Sequence, residues 1–423
     1  MYHQKENRKG GERNIVVGLD IGTSKVGVVI GEVDEHGGVV ILGVGMSLSE
    51  GLRQGVVVDL DLAVRSIERA VREAQLTAGV EVDGVIVGIA GDHIRSVNSR
   101  GVVAVSRADH EITQSDVNRV IDAAKAIALP IDREVLHILP QEFIVDNQKG
   151  IKNPVGISGV RLEAEVHIVT GAVTSAQNLV RSVRKAGLRV VGLVLEPLAS
   201  SYSILDENEK KLGVALIDLG GGTTDIALFH ESAIRHTAVI GMGGQNVTND
   251  IALGLRTPLD QAEAIKRKFG CAHKDLVSKS ETFTVPGISG RASREVSRDL
   301  LVSIIQPRLE EIYSLAAKEV KRSEFGEMLG VGVVLTGGGS LLEGSIPLAE
   351  EVFGLPAKLG IPQGFSGMVE SASSPIFATG VGLVLYGIYG MDSEEGVKIF
   401  GEEETGLFNR IYQWMRHFVE DFF

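Results

Sequence analysis

The segment VALIDLGGGTTD, residues 214–225, contains the most informative pattern in this 423-residue chain. Its first four residues are apolar and predict a buried strand, and residues 226–229 predict a second strand after the turn. Between the strands lie Asp218, three consecutive glycines, two threonines and Asp225. Glycine turns let backbone N–H groups approach a phosphate, and neighbouring carboxylates suit Mg²⁺. The segment therefore predicts a polyphosphate-binding turn between two strands, the alternative being a simple hairpin.

Related patterns occur twice more. Residues 15–19 and 26–30 are apolar and enclose the turn Asp20-Ile21-Gly22-Thr23, in which Asp20 lies 198 residues before Asp218. A third turn, residues 336–340, follows the apolar residues 331–335 and contains three glycines. Three such turns weaken the simple-hairpin explanation and predict a duplicated core with a cleft between its halves. Asp20, Asp218 and Asp225 are then candidates to hold Mg²⁺ and a water, and Lys25 to contact phosphate.

Composition narrows the classes of function. There are 42 Lys and Arg against 55 Asp and Glu, a net charge of −13, which argues against a nucleic-acid partner. The apolar share of 44% is that of a folded globular protein. The single cysteine, Cys271, excludes an internal disulfide and fits a reducing compartment. The chain has no P-loop, no G-x-S-x-G elbow and no H-E-x-x-H motif, and its histidines lack metal-ligand spacing.

Apolar periodicity predicts an α/β protein with mixed sheets. Helices are predicted at residues 62–74, 113–128, 173–186 and 300–318, and further strands at 85–89, 101–105 and 166–169. Residues 371–391 carry no charge over 21 positions, but the apolar part, 376–389, has only 14 residues. A membrane span needs about 20 apolar residues. A small-residue helix buried in the core is therefore preferred to a transmembrane helix.

The two ends of the chain have distinct compositions. Residues 1–13 are polar, predict a disordered tail and lack the apolar segment of a secretion signal. Residues 391–405 contain six acids and one lysine and predict a solvated linker. Residues 407–423 hold six of the chain's 20 aromatic residues in an amphipathic pattern. This pattern predicts an interfacial membrane helix, the alternative being a helix docked on the body or on a partner. Its apolar residues are Leu407, Phe408, Ile411, Tyr412, Trp414, Met415, Phe418, Val419, Phe422 and Phe423.

Several ordered strings resemble one family. They are LDIGTSK at 19–25, LEPLASSY at 195–202, DLGGGTTDIAL at 218–228, GMGGQNVTNDIA at 241–252 and LTGGGSLLEG at 335–344. With the terminal amphipathic segment, they make the chain similar to the FtsA family of bacterial cell-division proteins, within the actin-like ATPase superfamily, over about residues 14–423. The resemblance implies an α/β actin-like ATPase fold. Its features are two duplicated lobes with a nucleotide cleft, an inserted subdomain named 1C and a C-terminal amphipathic helix.

The resemblance also implies domain limits. Subdomain 1A would comprise 14–82 and 164–196, subdomain 1C 83–163, subdomain 2A 197–240 and 309–390, and subdomain 2B 241–308. The tail (1–13), the acidic linker (391–405) and the membrane-targeting helix (406–423) complete the chain.

ATP and Mg²⁺ are the cofactors that the resemblance implies. Catalytic roles fall on Asp218, Glu196 and Asp225, and metal-holding roles on Asp20 and Asp218. The cofactor-binding residues are Asp20, Gly22, Thr23, Ser24, Lys25, Gly220, Gly221, Gly222, Thr223, Thr224, Gly243, Gly244, Glu263, Lys266, Gly337, Gly338 and Gly339. The enzyme would be at most a slow ATPase, with ATP acting mainly as an assembly ligand.

The implied function is in division. Such a protein polymerises as a peripheral protein on the cytoplasmic face of the cell membrane at the septum, tethers FtsZ filaments there and helps recruit later division proteins. Its partners are itself, membrane lipid and the acidic FtsZ C-terminal tail, for which the basic candidates are Arg291, Arg294, Arg298 and Arg308. The alternatives are a sugar-kinase-like phosphotransferase and a type IV pilus scaffold similar to PilM.

Overall fold

The computed structural model describes residues 14–278, 280–286 and 292–390. Its strands are β1 (Ile15–Ile21), β2 (Lys25–Val33), β3 (Val39–Leu48), β4 (Leu52–Arg53), β5 (Val56–Val57), β6 (Gly84–Ile89), β7 (Arg95–Ala104), β8 (Arg133–Val145), β9 (Gln148–Ile151), β10 (Arg161–Ala172), β11 (Arg189–Leu195), β12 (Val214–Leu219), β13 (Thr224–His230), β14 (Ala233–Ile240), β15 (Thr282–Val285), β16 (Arg294–Ser297), β17 (Gly332–Thr336), β18 (Ala357–Leu359) and β19 (Ser366–Gly367). Its helices are α1 (Leu60–Ala78), α2 (Gln114–Lys125), α3 (Val173–Lys185), α4 (Glu196–Ile204), α5 (Glu207–Leu212), α6 (Gly244–Gly254), α7 (Leu259–Phe269), α8 (Arg298–Arg322), α9 (Ser345–Phe353), α10 (Val369–Ala372) and α11 (Ala378–Tyr389). The predicted tail, linker, amphipathic helix and Arg291 lie outside the described residues.

The two largest sheets share one topology. The first has the strand order β11-β6-β1-β2-β3-β19, and the second β14-β13-β12-β17-β18. In each, an antiparallel meander (β1, β2 and β3, or β12, β13 and β14) continues into parallel strands beyond its first strand. We call these halves lobe 1 and lobe 2. Their shared topology confirms the predicted duplicated α/β core.

Local sequence accounts for most of the elements. Every residue of β12 is buried, as expected for an apolar strand covered on both faces. Helix α1 begins after Asp59, whose side chain accepts a hydrogen bond from the Leu62 N–H, and ends at Gly79 in the left-handed conformation. Helix α2 begins with the capping box suggested by Thr113 and Asp116. The predicted helices at 62–74, 173–186 and 300–318 are confirmed to within a few residues.

The uncharged segment forms α11, a buried helix that packs between α4 and the lobe 1 strands β1, β2 and β6. Small residues make this packing possible, because a Cβ on Gly382 would lie 2.1 Å from the carbonyl oxygen of Ala199 in α4. On the strand side, a Cβ on Gly18 would lie 2.4 Å from the carbonyl oxygen of Gly380. The predicted buried helix is thus confirmed. None of the helices formed by the described residues has the length and apolar character needed to cross a membrane.

An additional sheet, β7-β10-β8-β9, forms the insert in lobe 1. Helix α2 covers the apolar face that alternate β10 residues provide, among them Val166 and Ile168. The sheet spans residues 95–172, which differs from the predicted limits of 83–163. Strand β6 instead pairs with β1 and β11 in the lobe 1 sheet, and β10 continues to Ala172 in the insert. Likewise, α8 is continuous through the predicted 308/309 boundary between subdomains 2B and 2A.

Candidate functional site

The first two glycine turns join equivalent antiparallel strands. The Gly22 N–H donates to the Lys25 carbonyl at 2.9 Å, and the Gly220 N–H donates to the Thr223 carbonyl at 3.0 Å. The strand register places Asp218 directly opposite Asp225 in lobe 2. Each turn therefore lies at the end of a strand pair, with its acids on the adjoining strands.

The tips of these turns touch each other across the cleft. A Cβ on Gly221 would lie 2.0 Å from the Oγ of Ser24, and a Cβ on Gly222 would lie 2.5 Å from the Oγ1 of Thr23. Both distances are far below van der Waals contact, so no side chain fits at either glycine. Close approach of the two lobes is therefore the physical reason for glycine at these positions.

Two further backbone segments complete the floor of the cleft. Gly337, in the third turn, has a φ of 82°, and its Cβ would lie 2.2 Å from the Oδ1 of Asp218. At the start of α6, the Gly244 N–H donates to the Gly220 carbonyl at 2.9 Å, and a Cβ on Gly243 would lie 2.6 Å from the same oxygen. The second turn is thus held from both sides by glycine-containing backbone.

A cavity of about 530 Å³ lies between the lobes, within the usual size range of ligand pockets. Most of the predicted cofactor residues line it. They are Asp20, Gly22, Thr23, Ser24, Lys25, Glu196, Asp218, Gly220, Gly221, Gly222, Thr223, Asp225, Gly244, Glu263, Lys266, Gly337, Gly338 and Gly339. Thr224 and Gly243 are not among the lining residues: the buried Thr224 hydroxyl donates to the Met242 carbonyl at 2.8 Å, and Gly243 packs behind the second turn.

Four carboxyl groups converge at the base of the cavity. Asp20, Asp218 and Asp225 are buried, whereas Glu196 is partly exposed. Burial, followed by the charge of Asp20, raises the pKa of Asp218 to about 6. Burial and the charge of Asp218 raise the pKa of Asp225 to about 8, and burial with the surrounding acids raises the pKa of Glu196 well above its ordinary value. Lys25, paired with Asp20, is a cation beside the cluster, and it would offset only part of the negative charge if all four acids were ionised.

One carboxylate oxygen of this cluster lacks a hydrogen-bond partner. The buried Oδ1 of Asp225 has none, while its Oδ2 accepts from the Thr223 hydroxyl at 3.0 Å. Such an oxygen suits a hydrated cation. Among the described residues, no three His, Cys, Asp or Glu side chains are placed to hold a metal ion by themselves. With its unpartnered oxygen, the acid cluster fits a hydrated Mg²⁺ ion.

The other end of the cavity is built by α6 and α7. The Lys266 ammonium donates to the Gly244 carbonyl at 2.9 Å and to the Thr248 hydroxyl at 2.8 Å, and it lies 2.7 Å from the Glu263 carboxylate. Burial alone raises the pKa of Glu263, but Lys266, Thr248 and Arg267 together bring it down to about 2. Glu263 is therefore an ionised acceptor at the cavity wall, and Lys266 connects α7 to the first turn of α6.

The predicted basic cluster is extensively paired within the chain. Arg294 donates to the Leu255 carbonyl at 2.6 Å, and Arg308 is ion-paired with Asp250. Arg298 lines the cavity instead of forming an open basic surface, and it pairs with Glu281 and Glu343. Of the three arginines of this cluster that the structure describes, Arg294 is the exposed one.

Sequence patterns missed several residues that shape the cavity. The Ser200 and Thr379 hydroxyls lie 3.3 Å and 3.5 Å from the Oδ2 of Asp218. They belong to α4 and α11, which are far apart in sequence, so no local spacing could have associated them. Arg298, which lines the cavity, and Thr248, which bonds to the lining residue Lys266, were missed for the same reason. For Ser200, the sequence offered one indication, because this residue lies in the family-like string LEPLASSY at residues 195–202.

Comparisons with known proteins agree with this architecture. The sequence model described as "Cell division protein FtsA" matches residues 215–382, and that described as "SHS2 domain inserted in FTSA" matches residues 91–170. The chain is 47% identical to the cell division protein FtsA of Pseudomonas aeruginosa over 408 residues, which cover 95% of this chain and 97% of the relative. It is 42% identical to FtsA of Escherichia coli strain K12, covering 90% and 91%.

Solved structures with the same fold are more distant. A chain of the PilM–PilN type IV pilus biogenesis complex aligns with a TM-score of 0.65 at 18% identity, covering 88% of this chain and 98% of that one. MreB5 of Spiroplasma citri bound to AMPPNP aligns with a TM-score of 0.54 at 15% identity, covering 89% and 96%. These likenesses confirm the actin-like ATPase fold and favour neither alternative function. With the extensive identity to the relatives above, the chain belongs to the FtsA family of bacterial cell-division proteins.

Proposed function

We propose that the cleft binds Mg·ATP and that the nucleotide acts mainly as a ligand for assembly. The main support is that the buried Asp225 carboxylate has one oxygen without a hydrogen-bond partner. This oxygen lies beside two glycine turns that have no room for a side chain. Turn amides and Lys25 would bind the phosphates, and Glu263 would accept hydrogen bonds from the sugar. Mg²⁺, when bound, would offset the negative charge of the phosphates.

The four acids of the cluster would have different roles. Asp20 and Asp218 would hold waters of the cation, and Asp225 would complete that shell. Glu196, whose pKa is raised, lies at the start of α4 and can accept a proton from a water near the phosphates.

Nucleotide binding can be tested by calorimetry with AMPPNP and Mg²⁺. Asp218→Ala removes a cluster carboxylate, and Gly221→Val places a side chain where the turns meet, so both should abolish measurable binding. Asp83→Ala is the matched control, because the Asp83 side chain is 86% exposed and pairs with Arg189 at the surface. Binding that survives both cleft substitutions would refute the site.

We further propose that the protein assembles on the cytoplasmic face of the membrane as a peripheral protein. Support comes from the aromatic amphipathic pattern of residues 407–423 and from membership of a cell-division family. Its polar residues are nearly neutral, with Arg410 and Arg416 against Glu420 and Asp421, so binding would depend on apolar burial. Many such segments on one filament would bind far more tightly than one, because each later contact is intramolecular.

Liposome co-sedimentation of the full chain tests the membrane proposal. Trp414→Glu places a charge among the apolar residues and should abolish sedimentation. Gln413→Glu adds the same charge at the neighbouring polar position and should leave sedimentation nearly unchanged. Equal sedimentation of the two variants would argue against the amphipathic anchor. Electron microscopy on a lipid monolayer with ATP then shows whether filaments form.

A tether to FtsZ is the third part of the proposal, together with recruitment of later division proteins. The acidic FtsZ tail would dock on the lobe 2 region containing α6, α7 and α8. Arg294 is the best candidate contact, because Arg298 and Arg308 are engaged in ion pairs. Arg294→Glu should weaken binding of a tail peptide in fluorescence anisotropy. Arg322→Glu, at the far end of α8, is the matched control, and equal affinities would place the dock elsewhere.

A further inference from the structure

The insert contacts lobe 2 through a polar face of its sheet. Along β10, Val166 and Ile168 point toward α2, so the intervening His167 points to the opposite face. Strand β14 of lobe 2 lies against that opposite face. Since β14 is the edge strand of the lobe 2 sheet, its outer carbonyl groups need partners from elsewhere.

Side chains of the insert provide those partners. Gln141 donates through Nε2 to the Ile234 carbonyl at 2.9 Å, and Ser96 donates through Oγ to the Thr237 carbonyl at 2.9 Å. Asn98 donates through Nδ2 to a carbonyl between them, that of Arg235, at 3.2 Å. Three carbonyl groups of one edge strand are therefore bonded by side chains of the insert.

His167 lies at the centre of this contact and is 1% exposed. Its Nδ1 is 2.6 Å from the Oδ1 of Asn98, and its Nε2 is 2.9 Å from the Oγ1 of Thr237. Because Asn98 directs its oxygen to the ring, the network assigns the proton to Nδ1 and makes Nε2 the acceptor for Thr237. Burial, with a smaller effect of His236, lowers the pKa of His167 to about 3, so the ring is neutral at physiological pH.

Strand β14 leads directly to the nucleotide cavity. It pairs with β13, so that Thr237 lies opposite Ala227 and Val239 lies opposite Asp225. Beyond its end, the carbonyl of Gly241 accepts a hydrogen bond from Gln54 of lobe 1 at 2.7 Å. The next residues form the segment that holds the second glycine turn. A shift of that turn therefore displaces the strand to which the insert is bonded.

The insert also contacts the lobe 1 side of the cavity. His137 of β8 is fully buried, and its Nε2 accepts a hydrogen bond from the Leu195 N–H at 2.9 Å. Leu195 is the last residue before Glu196, one of the four clustered acids. The insert is thus bonded to the residue that precedes Glu196 in lobe 1 and, in lobe 2, to β14, which pairs with the strand that carries Asp225.

We propose that the insert is conformationally coupled to the nucleotide cleft through β14, with His167 as the residue that transmits the coupling. The proposal rests on nucleotide binding at the cleft. Binding that fixes the second glycine turn would also fix β14 and the polar face of the insert. His167 acts through Thr237 and Asn98 and is therefore a positioning residue.

Hydrogen exchange of the full chain, with and without AMPPNP and Mg²⁺, tests this coupling. In the wild type, nucleotide should slow exchange in residues 218–228 and also, by about fivefold, in residues 95–104 and 161–172, as expected from one hydrogen bond's contribution. In His167→Leu, slowing at 218–228 should persist, while slowing in the insert should fall below about twofold. Thr237→Val removes only the hydroxyl partner and gives the same test if His167→Leu does not fold.

A matched control and the outcomes follow from the same contacts. Ser99→Ala removes a hydrogen bond from Ser99 to the Ala124 carbonyl inside the insert and should leave the nucleotide effect at wild-type size. The coupling alone is overturned if nucleotide does not slow exchange in the insert of the wild type, or if it slows that exchange to the wild-type extent in His167→Leu and in Thr237→Val. If nucleotide leaves hydrogen exchange at residues 218–228 of the wild type unchanged, the proposed nucleotide site is overturned as well.

Discussion

Contact between the two glycine turns should make cleft closure sensitive to one methyl group. In Gly221→Ala, the new Cβ would lie 2.0 Å from the Oγ and 2.7 Å from the Cβ of Ser24. Relieving these overlaps requires the lobes to separate by more than 1 Å, and overpacking of this kind costs about 1–3 kcal/mol. Because closure is needed to contact both turns at once, nucleotide affinity should fall about 5- to 150-fold.

A second substitution makes this steric explanation testable. Ser24→Gly removes both clashing atoms, and the nearest remaining atom, the Ser24 backbone nitrogen, lies 3.3 Å from the new Cβ. The double variant Gly221→Ala/Ser24→Gly should therefore recover much of the affinity lost by Gly221→Ala. Calorimetric titration of AMPPNP with Mg²⁺ gives the affinities, and Ser24→Gly alone is the reference. A double variant no better than the product of the single effects would refute the contact.

Three further outcomes are expected. Folding raises the pKa of Asp225 from about 4 to about 8, so between these pH values the folded state binds a proton that the unfolded state does not. The Tm of the nucleotide-free protein should therefore fall as the pH rises from about 5 to about 8. Asp225→Asn should flatten this dependence of Tm on pH and weaken Mg²⁺-dependent nucleotide binding. Lys266→Ala should weaken nucleotide binding about tenfold through loss of the bond to Gly244, whereas Lys318→Ala, at an exposed position of α8, should not; equal affinities would exclude Lys266 from the site. Gly382→Val should lower the Tm by overpacking α11 against α4, and an unchanged Tm would contradict that packing.

The acid cluster explains why nucleotide and cation should bind together. Asp218 and Asp225 are each raised in pKa by burial and by their neighbours, so bringing all four acids to the ionised state is unfavourable without a counter-charge. Lys25 offsets only part of that charge. A divalent cation arriving with the phosphates would offset more, and proton release should accompany binding. Calorimetry in buffers of different ionisation enthalpy measures that release, and a value independent of Asp225→Asn would contradict this explanation.

Short-range sequence patterns were sufficient to predict most of the helices and strands discussed above and many of the residues that line the cavity. Apolar runs ending in glycine turns predicted β12, β13 and the opposed acids Asp218 and Asp225, because a strand's burial and a turn's backbone are local properties. The capping box of α2 and the burial of α11 followed from spacing and composition in the same way. The insert's limits were less accurate, since β6 has the composition of any buried strand and its neighbours in the sheet are distant in sequence.

Contacts between distant segments appeared only in the folded chain. Nothing in the segments themselves associates Ser200 and Thr379 with Asp218, or His167 with Thr237, because these pairs depend on how helices and sheets pack. Arg298 illustrates the same limit: the family resemblance made it a candidate contact for an acidic peptide, whereas packing directs it to the cavity wall and to Glu343. Residue order thus specified the strands, turns and acids of the cleft, whereas three-dimensional packing selected their partners, because hydrogen bonds and burial act between neighbours in space.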